Sequence, residues 1–164
     1  MIAAPGLDAP LELRLRLADL YAAYGDALDE REWERWPEFF TENCIYKILP
    51  RENVDYGLPA TMIYCESRAM LADRVVALRE ALVFAPRLIR CVAGAPCLWK
   101  LEPDGMRLRS SFALFETMLN EPSTLFLCGR IYDRVVDDAG VLRFAERIIV
   151  TDATNVQLSL VYPI

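Results

Sequence analysis

From Arg87 onward the sequence alternates apolar and polar residues in long runs, and successive runs break at Glu102-Pro-Asp-Gly, Asn120-Glu-Pro-Ser and Asp137-Asp-Ala-Gly. Period-2 alternation is the pattern of a strand with one covered face, and Gly, Pro, Asn and Asp at such intervals punctuate hairpins. The runs predict four long strands near 87–101, 106–119, 123–136 and 141–152, with a short last extended piece near 158–162. Gly94-Ala-Pro interrupts the first run and predicts a bulge or bend, which curls the sheet. A sheet with one apolar face has to be covered, and the first half of the chain is what remains to cover it.

That half reads as helices. Leu11-Glu-Leu-Arg-Leu-Arg-Leu taken alone alternates like a strand, yet Leu13, Leu17, Leu20, Tyr21, Tyr24 and Leu28 form one stripe of a 3.6-residue period. Asp8 is placed to cap this helix, with Pro10 in its first turn. After Asp29-Glu30, the spacing of Trp33, Trp36, Phe39 and Phe40 predicts a short aromatic helix packed into the core. Pro37 fits best in the first turn of a helix that restarts near Arg35, because a mid-helix proline costs about 3 kcal/mol. Cys44-Ile-Tyr-Lys-Ile-Leu reads as a strand stopped by Pro50, and Arg51-Glu-Asn-Val-Asp-Tyr-Gly as a loop. Ser67 opens a third helix, Arg68 to about Leu82, with Met70, Leu71, Arg74, Val75, Leu78 and Leu82 on its inner face; Pro86 ends any continuation. Helices first and hairpin-linked strands after them give an α+β domain, helices packed in a strongly curved, mainly antiparallel sheet. At 164 residues the chain makes one domain, residues 1–164, that buries about two-thirds of its unfolded surface.

The chain has no histidine. A Rieske cluster takes two His and two Cys, the usual mononuclear oxygenase iron takes two His and a carboxylate, and the general base of a serine or cysteine hydrolase triad is normally His. None of these can be built from this chain alone. The formal charge is −6 with the positive charges scattered, so nucleic acid is not an expected partner. Neither a basic leader nor a run of roughly 18 apolar residues occurs, and the expected location is the cytoplasm, without a membrane partner. Cys44, Cys65, Cys91, Cys97 and Cys128 are odd in number and set among apolar neighbours, as buried thiols are, and disulfides are not expected.

Three groups of residues are candidates for contact with other chains. The polar run carrying Arg51, Glu52, Asn53 and Tyr56 is either a binding loop on a rigid scaffold or a solvated connection. Arg90, Arg109, Glu116, Arg130, Arg134, Glu146 and Arg147 sit inside strands, where opposite charges pair across one face or arginines supply an oligomer interface. Trp99, beside Lys100 near a strand end, is a partly covered aromatic of the kind interfaces use.

The order of elements resembles the NTF2-like (cystatin-like) cone. Within that fold, Phe39-Phe-Thr-Glu-Asn-Cys-Ile-Tyr, Arg51-Glu-Asn-Val-Asp-Tyr-Gly-Leu and Ser67-Arg-Ala-Met-Leu-Ala-Asp-Arg-Val resemble the small (β) subunits of bacterial Rieske-type aromatic-ring-hydroxylating dioxygenases, over nearly the whole chain. The small subunits of salicylate and anthranilate hydroxylases are the nearest in character. The resemblance implies a non-catalytic subunit of an oxidoreductase for aromatic compound catabolism. It implies a homotrimer of β subunits inside an α3β3 complex whose α subunit carries the Rieske cluster and mononuclear iron, with electrons crossing between neighbouring α subunits. This chain would hold no cofactor of its own.

Cones of this kind also house small lyases, isomerases and ligand-binding proteins. The version open to a chain without histidine pairs a tyrosine of the first helix, Tyr21 or Tyr24, with a carboxylate base. The strand that would supply that base, Cys44 to Leu49, has no carboxylate, and Glu42 and Glu52 fall beyond its ends.

Overall fold

In the computed structural model, which describes residues 9–80, 87–153 and 162–164, the sheet wraps around the N-terminal helices as the alternation requires. The elements run α1 (Leu11–Asp29), a 3₁₀ helix (Trp33–Phe39), β1 (Phe40–Pro50), α2 (Arg51–Asp55), β2 (Ile63–Cys65) and α3 (Arg68–Glu80). β3 (Arg87–Ala93), β4 (Cys97–Glu102), β5 (Gly105–Met118), β6 (Thr124–Asp138) and β7 (Val141–Thr151) follow. The strand order is β2-β1-β7-β6-β5-β3, with β4 also on β5. Among the described residues β1 and β7 pair in parallel and the other pairs are antiparallel.

Curvature comes from register shifts. Phe126 is the extra residue opposite Leu114-Phe115, Ala145 opposite Arg134-Val135, and Trp99 opposite the step from Arg107 to Leu108. Each bulge adds local twist and bends its strand. The run expected as one strand over 87–101 is two, β3 and β4, which lie along the same edge of the long β5. The break falls at Gly94-Ala-Pro, where the Gly94 amide still donates to the Ser111 carbonyl at 2.8 Å. At the other end of the sheet, Ala139 and Gly140 both take positive φ (54° and 89°). That is the two-residue turn whose twist matches a hairpin, and Asp137 Oδ1 accepts the Gly140 amide at 2.6 Å.

The core is aromatic. Trp36, Phe40, Tyr46 and Phe144 are fully buried, and Trp36 meets Tyr46 edge-on with centroids 5.2 Å apart, a favoured arrangement of ring quadrupoles. Trp33 and Phe39 pack against this cluster from its margin. The expected helix restart at Arg35 does not occur: a single 3₁₀ helix runs through Pro37. Proline's fixed φ suits 3₁₀ geometry, and so short a helix loses only one bond to it.

Other boundaries differ for local reasons. Strand β1 begins four residues earlier than expected, at Phe40, because its bulged start still reaches Phe144. The run read as a loop from Arg51 contains the single-turn helix α2, closed by a reverse turn: Gly57 (φ 64°) donates to Val54 and Leu58 to Asn53. Those two bonds form the Schellman motif that glycine permits. The short β2 was not foreseen. Helix α3 starts as expected, with Ser67 Oγ accepting the Met70 amide and Leu71 and Val75 buried; Met70 is exposed rather than inward. Asp8, Leu82, Pro86 and residues 158–161 of the last extended piece lie outside the described residues.

Strands β6 and β7 come so close at Gly129 that an added Cβ would collide with the Val150 carbonyl oxygen. Gly129→Ala is expected to cost about 3 kcal/mol, the upper end of ordinary overpacking, read as a lowered urea midpoint of unfolding.

Candidate functional site

Two surfaces could carry function in such a fold, the hollow of the cone and the outer face of the sheet. In the hollow, alternation along β6 turns Ile131, Asp133 and Val135 inward, and along β7 it turns Arg147 and Ile149 inward. Asp133 and Arg147 are direct cross-strand partners. Their side chains meet at 3.3 Å (Nη1 to Oδ2) and are 0% and 3% exposed.

Helix α1 completes the network. The Tyr21 hydroxyl donates to Asp133 Oδ2 at 2.6 Å, and the Tyr24 hydroxyl donates to the Ile164 carbonyl at 2.7 Å. Trp36 Nε1 donates to the Tyr24 hydroxyl at 3.1 Å, and the Ile164 amide donates to the Tyr46 hydroxyl at 2.9 Å. The Arg147 guanidinium lies 4.2 Å from the Tyr24 ring centroid and 4.7 Å from that of Phe144.

Burial pushes the Asp133 carboxyl above the usual aspartate range, although Arg147 and the Tyr21 hydroxyl pull the other way. Burial also works against the charge on Arg147, but Asp133 and the surrounding tyrosines outweigh it and keep the guanidinium protonated. Burial raises Tyr21 and Tyr46, and raises Tyr24 to about 12. The hollow therefore does contain a tyrosine–carboxylate pair, supplied by β6 rather than by the strand after the first helix. Asp133 is already engaged by Tyr21 and Arg147, and a carboxylate so committed is poorly placed to accept a substrate proton.

Two thiols share this burial. Cys44 and Cys91 are both raised to about 11, chiefly by desolvation. Since the unfolded thiols ionise near 9, their contribution is fully present below that pH and is lost as pH rises toward about 11. Unfolding free energy is expected to decline from pH 9 upward, and the Cys44→Ala/Cys91→Ala double variant to show a shallower decline. A pH series of urea melts reads both. All five cysteines are described and none is joined in a disulfide.

The outer face is of a different character. Leu88 and Val92 of β3, Phe115 of β5 and Leu125 of β6 are exposed; Phe115 pairs with Leu125 and, on its other side, with the exposed Arg90 that lies between Leu88 and Val92, so they form one strip across three strands with an arginine in it. Beside the strip stand Arg109 and Arg130, both exposed and without an ion pair among the described residues. The other strand charges are paired. Arg90 meets Asp29 at 3.0 Å, Glu116 meets Arg87 at 2.5 Å and Glu146 meets Arg107 at 2.5 Å, while Arg134 meets Asp104.

The residues singled out from the sequence fall in three places. Arg51, Glu52, Asn53 and Tyr56 share the α2 corner, where Arg51 Nη2 and Nε bond Asp152 Oδ1 at 2.5 and 2.9 Å and Asn53 Nδ2 donates to the Ala60 carbonyl at 2.7 Å. Those bonds hold up Val54, Tyr56 (74% exposed) and Leu58 as a second exposed apolar patch. Trp99, at the β4 bulge, is 47% exposed, and Arg130 lies on the outer face. Arg147 does not join either surface group: it is buried in the hollow with Asp133. Asp133 and the outer apolar strip were missed. Counting alternate positions from Leu127 through Ile131 to Val135 would have put Asp133 inward.

Among the described residues no helix is long and apolar enough to cross a membrane. Nor does any group of three or more His, Cys, Asp or Glu come together there as a ligand set. Together with the absence of histidine, these side chains do not fit a Rieske cluster or a mononuclear oxygenase iron.

Comparison with known proteins gives a consistent result. The family described as the ring hydroxylating beta subunit matches residues 25–157. The anthranilate 1,2-dioxygenase small subunit of Burkholderia cepacia is 35% identical over 137 residues, 84% of this chain and 85% of that protein. Subunit beta 2 of the terephthalate 1,2-dioxygenase terminal oxygenase component from a Comamonas species is 31% identical over 150 residues, 92% of this chain and 97% of that one. A crystal structure described as the beta subunit of an aromatic-ring-hydroxylating dioxygenase from Novosphingobium aromaticivorans superposes with a TM-score of 0.84. It is 35% identical and covers 93% of this chain and 97% of its own.

Proposed function

The chain belongs to the ring-hydroxylating β-subunit family, the small subunits of aromatic-ring-hydroxylating dioxygenases, and from that premise we propose that its outer sheet face and α2 corner assemble the oxygenase. Its partner is the large, iron-bearing subunit, in a cytoplasmic hexamer of three large and three small chains whose small chains form a trimer. Ring hydroxylation in aromatic catabolism belongs to the assembled complex. The Rieske cluster and mononuclear iron belong to the large subunit, since this chain lacks the imidazoles both require.

The observation that carries this reading is the unpartnered strip of Leu88, Val92, Phe115 and Leu125 beside Arg109 and Arg130. Obligate interfaces bury about 2,000–5,000 Å² and are more apolar than ordinary surface. Arginine is also enriched at interfaces, where its planar fork pairs with carboxylates. Tyr56 and Trp99, each an exposed aromatic on a rigid support, have the character of anchor residues. Arg51, Glu52 and Asn53 frame Tyr56 and keep its corner in shape.

The scaffold reading is tested by metal analysis of the purified chain alone. It is expected to hold no stoichiometric iron and to show no visible absorption band. One iron per chain, retained through gel filtration, would contradict it.

A further inference from the structure

Beside the buried Arg147–Asp133 pair lies a cleft of about 350 Å³ that an assembly role leaves unused. One wall is α1, through Ala18, Ala22 and Gly25; the other is the bend between β3 and β4, through Ala93 and Pro96. Small residues on both sides make this a slot rather than a packed contact, and a Cβ built on Gly25 meets nothing within 4 Å.

The Arg147 guanidinium also lines the slot, in a residue only 3% exposed. Its Nε donates to the Ile164 carbonyl at 3.3 Å and its Nη1 to Asp133 at 3.3 and 3.5 Å. These are longer than the roughly 2.7–2.9 Å of a charge-assisted bond. Nη2 donates to nothing among the described residues. The surrounding hydroxyls are committed elsewhere, Tyr21 to Asp133 and Tyr24 to Ile164. Nη2 is therefore a spare donor on a residue that lines the cleft, available to an acceptor oxygen of water or of a ligand.

We propose that this cleft binds a one- or two-ring aromatic carboxylate, its ring in the slot between α1 and the β3–β4 bend and a carboxylate oxygen accepting from Arg147 Nη2. The volume lies within the roughly 300–1,000 Å³ of small-molecule sites. Walls of alanine, glycine and proline suit a flat apolar body. The cation that lines the cleft, Arg147, has the geometry for carboxylate. The site is independent of the assembly role and stands or falls without it.

The test titrates the full-length chain with benzoate by calorimetry and by ligand-observed NMR, with benzyl alcohol as a neutral probe of similar shape. Benzoate is expected to bind saturably and at least tenfold more tightly than benzyl alcohol. Gly25→Leu and, separately, Ala22→Leu fill the slot without touching the ion pair. Both are expected to abolish benzoate binding while the unfolding midpoint of Gly25→Leu is no lower than that of the parent, since it removes a glycine from a helix. Equal affinity for the two probes would overturn the role of Arg147, unchanged benzoate affinity in both filled variants would place binding elsewhere, and no saturable benzoate binding would overturn the site itself.

Discussion

Arg147→Ala is expected to lower the unfolding free energy by about 3–5 kcal/mol, the cost of stranding one member of a buried ion pair. The Asp133 carboxylate is 0% exposed in its side chain, and without Arg147 only the Tyr21 hydroxyl would stabilise its charge. The truncation also removes the cation from above Tyr24 and Phe144 and the bond to the Ile164 carbonyl. Asp133→Leu combined with Arg147→Met is expected to recover most of the loss, because two apolar side chains of similar volume carry no desolvation cost. Urea unfolding with an unchanged m-value reads both variants. The pH dependence has a definite sign. Burial raises the folded-state pKa of Asp133 above its unfolded value, so its contribution is present below the ordinary aspartate range and is lost as pH rises through the folded value. Removing the guanidinium raises that folded value further, and Arg147→Ala is expected to be less destabilising at pH 4 than at pH 8.

The second large effect is expected at the outer face. Val92→Asp and Leu125→Asp place charges in the middle of the apolar strip, at side chains that are 61% and 57% exposed. The isolated chain has little reason to lose stability from either. An assembly interface that buries them faces an unpaired carboxylate, and affinity for the large subunit is expected to fall by about 2 kcal/mol or more, roughly 30-fold. Leu15→Asp is the control: Leu15 is 57% exposed but lies on α1, away from the strip. Retention of the large subunit on a tagged small subunit measures all three. Loss with Leu15→Asp and retention with the other two would put the interface on the helical side.

The cone was legible because its two halves obey different periods. Leu17, Leu20 and Tyr24 lie on the buried stripe that helical spacing indicated, and the turns at Asp137-Asp-Ala-Gly and Gly94-Ala-Pro fall where glycine and proline mark them. Local chemistry hid other elements. The polar run at Arg51 reads as a loop because five residues show no periodicity, and its helix depends on a glycine closure that only backbone geometry reveals. Strand β2, three residues long, is held through its pairing with β1. The Asp133–Arg147 pair required knowing which strands are neighbours, since its members are fourteen positions apart and meet only through the β6–β7 register. The outer strip was equally hidden, because side chains on three strands become one surface only after the register is fixed. Arg147 shows the consequence: a charged residue inside a strand reads alike whether it points to a partner or into the core.

Co-expression of this chain, tagged, with a large oxygenase subunit from the same gene cluster tests the central claim most directly, through the mass and iron content of the purified material. The assembly reading predicts a coloured complex of three large and three small chains, with iron that stays with the large subunit when the two are separated. Recovery of the small chain alone and colourless, in the presence of a folded, iron-loaded large subunit, would contradict it.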